Sequence, residues 1–129
     1  MAGKKTMQTL DQERAAFAWQ KVAEAKTKLG DKRKFDNYTN LAKSAPALIM
    51  GNGLMATLAF FQQKSEESRV LNGAICGWLV KSTAFIMGSE YATVMEGLHG
   101  ADAAQYLHAT EEALEILRWI RQFAPTLKG

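Results

Sequence analysis

One cysteine, two prolines and two histidines are all that this 129-residue sequence holds of those three types. A lone cysteine, Cys76, cannot close an internal disulfide, which excludes a stapled secreted domain. Pro46 and Pro125 leave long stretches free of strong helix breakers. No apolar run is long enough for a comfortable membrane span. The most apolar stretch, Ala45 to Phe61, is interrupted by a proline and two glycines. No apolar segment follows Lys4 and Lys5, so a signal peptide is not expected and the cytoplasm is the expected location. There is no internal repeat and no low-complexity tract.

What is present is ordinary for one folded domain. Hydrophobic residues make up 47% and charged residues 22%, and the length suffices to bury a core. The net charge of +3 is unevenly spread. Residues 1–45 carry ten basic and five acidic side chains, a net of +5, and residues 46–129 carry six and eight. A basic N-terminal third suits a polyanionic partner, and equally suits a solvated surface.

Apolar spacing predicts an all-α fold, a compact bundle of five or six helices. Residues 1–9 read as a flexible tail and 10–129 as a single helical domain. Thr9 with Gln12 is a capping-box pattern, in which two side chains satisfy each other's free backbone N–H. The helix it starts carries Ala15, Ala18, Trp19, Val22, Ala25 and Leu29 on one stripe, and Gly30 stops it. A second helix with Phe35, Tyr38, Leu41 and Ala42 is expected to end before Pro46, with Ser44 capping the next. Asn52-Gly53 between apolar runs is a hairpin signal. Three- and four-residue apolar steps from Ala47 to Phe61 instead favour a helix with a glycine-softened middle. A long helix is expected from Glu66 to Met87, a short one from Ser89 to Met95, and breaks at Gly97 and Gly100. The last should run from Asp102 to Phe123 and bury Leu107, Leu114, Leu117, Ile120 and Phe123, with Pro125 ending it.

Little of this is chemistry-bearing. His108 lies one turn from Glu111 and Glu112, but a closed metal site needs more ligands, and the repeated Glu-x-x-His unit of ferritin-like sites is missing. A helix-surface ion pair is the preferred reading there. Cys76 has no activating neighbour in sequence. No nucleophile elbow, Walker loop or dinucleotide fingerprint is present, so no catalytic residue, cofactor or metal is expected. Gly51-Asn52-Gly53 reads as close helix approach.

The basic residues are more telling. Arg14, Lys21 and Lys28 are spaced by seven along one side of the first helix, beside its apolar stripe, with Phe17 among them. Lys32, Arg33 and Lys34 extend the charge into the turn, and Lys43 joins it. A positive stripe with an aromatic can follow a phosphate backbone. The alternative is a solubilising face whose lysine stems cover apolar surface.

Several segments resemble one family. They are Arg14-Ala15-Ala16-Phe17-Ala18-Trp19 with Val22, then Leu41-Ala42, then Pro46-Ala47-Leu48-Ile49 leading to Asn52-Gly53-Leu54 and Thr57-Leu58-Ala59-Phe60. Tyr106-Leu107 and Ala109-Thr110-Glu111-Glu112-Ala113-Leu114 continue the likeness. Together they resemble the small helical subunit of the type III-B CRISPR–Cas effector, the Cmr complex, over residues 10 to 123. Gly51 stands where that family commonly has a polar residue, and Met55 where it has a small one. The resemblance implies a compact helical fold with no enzymatic activity of its own and a role in RNA-guided silencing. It also implies partners: backbone subunits, the large polymerase-like subunit, further copies of itself, and guide and target RNA. It transfers no ligand residue. The face formed by Arg14, Lys21, Lys28, Lys32, Arg33, Lys34 and Lys43 is an expectation from charge spacing alone. Two other readings stand beside it: a protein-interaction bundle that never touches nucleic acid, and a small enzyme, for which the sequence offers no convergent titratable groups.

Overall fold

The computed structural model describes residues 8–128, so most of the expected tail over residues 1–9 lies outside the described residues. Six α helices follow one another, with no strand among the described residues. They are α1 (Leu10–Leu29), α2 (Lys32–Asn52), α3 (Leu54–Lys64), α4 (Glu66–Ser82), α5 (Tyr91–Gly100) and α6 (Ala103–Phe123), and a 3-10 turn spans Ala124–Leu127. Helices α2, α4 and α6 pack on one another at the centre. Helix α1 closes the bundle against α6 and α4, while α3 and α5 flank α4. No described helix is long and apolar enough to cross a membrane.

Where capping chemistry is written locally, the expected boundaries hold. Thr9 and Gln12 cap α1 reciprocally, and Gly30 ends it in the left-handed conformation. Asp102 and Gln105 do the same for α6. Helix α4 starts at a third box, built from two serines. Ser65 and Ser68 cap each other, and the buried Ser68 hydroxyl lies 2.6 Å from the Phe61 carbonyl of α3.

Pro46 departs from expectation. It neither ends a helix nor begins one: α2 runs through it to Asn52, and Ser44 donates to the Leu41 carbonyl instead of capping. Proline's fixed φ is compatible with a helix, so the loss is one backbone hydrogen bond and some crowding at the preceding turn. Burial on both sides outweighs that, because Ala42, Ala45 and Ile49 all enter the core from one continuous face. The break falls at Gly53, whose φ of 94° and ψ of 161° are open only to glycine. Its N–H donates to the Ile49 carbonyl, and its carbonyl accepts from the Thr57 hydroxyl. Tyr106 of α6 pins the corner by accepting from the Met55 N–H at 3.1 Å. A β-carbon on Gly53 would sit 3.6 Å from the Tyr106 hydroxyl, an ordinary contact. Gly53→Ala therefore acts through backbone strain, and an expected loss of about 2 kcal/mol should appear in chemical denaturation with an unchanged m-value.

Two boundaries fall earlier or later than the apolar pattern suggests. Helix α4 stops at Ser82, not Met87: Thr83 turns to an extended backbone (φ −129°, ψ 156°), its N–H making the last helical bond to the Leu79 carbonyl, which its hydroxyl also reaches. Helix α5 runs from Tyr91 to Gly100 with no side-chain cap from Ser89, and Gly97 lies inside it. A β-carbon at Gly97 would come within 3.0 Å of the Ile86 side chain, so glycine there admits the returning loop. Two stripe residues also face outward: Trp19 is 46% exposed and Leu107 58%. On α6, Leu117 and Ile120 are buried as expected and Leu114 and Phe123 are half-buried, while Ala109, Glu112, Ala113 and Ile116 complete the buried face.

Candidate nucleic-acid interface

The seven basic residues singled out by spacing do not share one face. Lys21 and Lys28, two turns apart on α1, line a groove against α4 of about 160 Å³, floored by Gly73 and Ala74. Arg69 of α4 completes the groove from the opposite wall, and Glu24 is its single acid. Lys28 and Arg69 are exposed. The Lys21 ammonium lies 5.3 Å from the centre of the Phe17 ring and 3.4 Å from Glu24.

The α2 cations diverge. Asp31 caps α2 by accepting from the Arg33 and Lys34 N–H groups. The Lys34 ammonium donates to Glu66 at 2.9 Å, and that carboxylate holds it above its ordinary pKa. Lys32 pairs with Asp36 at 3.6 Å and lines a separate cavity with Lys26 and Lys128. Lys43 is exposed further along α2.

Arg14, the first of the heptad series, turns inward. Its Nε and Nη2 donate to the two Glu112 oxygens at 3.2 and 2.6 Å, and Nη1 lies 3.2 Å from Asp11. Only 14% of its side chain is exposed. Glu112, an acid in the apolar register of α6, also accepts from the Trp78 indole N–H at 2.8 Å. Burial alone would raise the Glu112 pKa. Hydrogen bonds from Arg14 and Trp78, with the charge of Arg14, outweigh it and hold the carboxyl below its ordinary value. This clasp joins α1, α4 and α6.

Sequence reasoning missed two members. Arg69 follows Glu66 and Glu67 in the more acidic part of the chain, and no linear pattern places it opposite Lys28. Glu112 left a readable trace: a carboxylate between Ala109 and Ala113 on a buried stripe calls for a cation or hydrogen-bond donors to meet it.

The remaining candidates resolve simply. His108 is no surface partner of Glu112; its Nε2 lies 3.1 Å from the Ser82 carbonyl, and Glu112 is buried. Among the described residues no three His, Cys, Asp or Glu side chains converge as a metal site would require. Burial pushes the Cys76 thiol up to about 12, so it is a neutral apolar filler.

The chain is similar to known proteins over nearly its whole length. It is 28% identical to the CRISPR system Cmr subunit Cmr5 of Thermotoga maritima, across 95% of this chain and 88% of that protein. Its fold matches the crystal structure of a CRISPR-associated Cmr5 family protein from Thermus thermophilus, with a TM-score of 0.76 and 26% identity over 95% of this chain and all of that one. Residues 10–127 match the family model for the CRISPR-associated protein Cas_Cmr5, and the chain belongs to that family.

Proposed function

We propose that this chain is a non-catalytic small subunit of a Cmr-type, RNA-guided effector of antiviral defence. In this reading the α1–α4 groove carries a stretch of the phosphate backbone of the guide–target RNA. The observation behind it is the convergence of Lys21, Lys28 and Arg69 on one groove whose floor is glycine and alanine. Small residues let an extended backbone approach closely, and cations two turns apart can meet successive phosphates. The α2 cations Lys32, Arg33, Lys34 and Lys43 are outlying contributors to the same field, and Arg14 supports it through the clasp.

The runner-up is a protein-interaction bundle that never touches nucleic acid. It draws on the half-exposed Trp19, whose ring meets Phe123 edge-on while Phe123 stacks on Trp119. An apolar aromatic face of this kind suits another protein, so it also serves neighbouring backbone subunits or further copies of this chain.

Salt dependence separates the two. Lys21→Glu with Lys28→Glu should weaken RNA retention by the assembled complex at least tenfold. The slope of log affinity against log salt should shrink by roughly 2, about 0.9 for each phosphate no longer neutralised. Unchanged target-RNA affinity in that double variant, with assembly intact, would leave the protein-interaction reading.

A further inference from the structure

A second cavity opens beside the groove, between the start of α1, the end of α4 and the middle of α6. It measures about 540 Å³ and is lined by Ala16, Phe17, Gln20, Trp78, Ser82 and His108, among others. The two cavities share a joint. Lys21 lines the groove, its ammonium sits over the Phe17 ring, and Phe17 forms a wall of the larger cavity. Phe17 is itself held against Trp78, with ring centres 5.3 Å apart.

We infer that this cavity receives a single unstacked nucleobase from the strand whose backbone runs in the groove. The inference rests on the groove reading above. The electrostatics divide the two spaces. The groove has three cations to one acid, whereas the cavity is balanced, with Glu13 against Lys81 and Glu112 already paired with Arg14. Phosphate is therefore drawn to the groove in preference to the cavity. A neutral base is not repelled, and its N–H edge suits a carboxylate or an amide oxygen. The half-buried Phe17, backed by the buried Trp78, offers the aromatic surface against which a base packs. The amide of Gln20, the Ser82 hydroxyl and the His108 ring supply donors and acceptors for its edge.

Photocrosslinking tests this with the full chain and single-stranded RNA carrying 4-thiouridine at alternate positions, the adducts being mapped by mass spectrometry. Adducts are expected at Phe17, Gln20 or His108. Ala16→Trp, at an exposed rim position, should reduce them at least tenfold while adducts along the groove persist, and Gln20→Ala should reduce them without filling the cavity. Adducts confined to Lys21, Lys28 and Arg69, or cavity adducts that Ala16→Trp leaves unchanged, overturn the base pocket and leave the groove standing. Absence of adducts at both places, or adducts indifferent to Lys21→Glu with Lys28→Glu, overturns the groove and the pocket together.

Discussion

Replacing Glu112 by alanine should destabilise the protein by about 3 kcal/mol, near the lower end of what breaking a buried pair costs. The variant strands two groups at once. The Arg14 guanidinium loses both of its bonds to Glu112, and the Trp78 N–H loses its acceptor inside the core. Asp11 and Glu115 remain near Arg14, at 3.2 and 3.7 Å, and with partial solvent access they keep the loss from rising further. Glu112→Gln should lose less, because an amide oxygen can still accept from Trp78. The pH dependence carries a sign. The Glu112 carboxyl is depressed on folding, so its contribution is complete above the ordinary value of 4.5 and disappears as pH falls through the lower folded value. Denaturant midpoints measured from pH 7 to pH 3 should fall on the acid side for the parent and fall less for Glu112→Gln. An equally steep acid limb in the two proteins would place the titrating group elsewhere.

Phe61→Ala should be more damaging still, at about 4 kcal/mol. The ring is fully buried where α3 meets α4, and it lies beside Phe60 at 5.9 Å between centres. Its own carbonyl receives the Ser68 hydroxyl that forms the cap of α4. Neighbouring helices are held apart by their own hydrogen bonds, including the Asn72 amide on the Leu58 carbonyl at 2.9 Å. They cannot collapse fully into the space, so the cavity persists. Calorimetry should show a fall in Tm on the order of 10 °C or more. A conservative Phe61→Leu change should restore most of it.

How much of this was legible in the sequence depended on whether the deciding interaction was local. Caps at Thr9 and Asp102 involve residues three apart, and both helix starts were readable. The all-helical class followed from apolar spacing alone. Pro46 misled because its local preference for a boundary was overridden by burial of Ala45 and Ile49, which no window around the proline reports. Trp19 and Leu107 fit their stripes by spacing yet face outward, since the register of the core is set by partner helices. The candidate interface divided in the same way. Lys21 and Lys28 share a face because a helix repeats, so their alignment was visible. Arg69 joins them through a tertiary contact between α1 and α4. Arg14 leaves them for a carboxylate 98 residues away.

That last separation has a consequence for biosynthesis. Helix α1 is held to the C-terminal part of the chain by Arg14 on Glu112, by Arg118 on Asp11 and by the Lys26 ammonium on the Leu127 carbonyl. A ribosome makes α1 long before any of those partners exists. Until α6 is made, the buried face of α1 lacks the cover that this helix provides, and the nascent bundle is exposed to chaperones and to premature association. Completion of the fold therefore waits on the helix made last among the six.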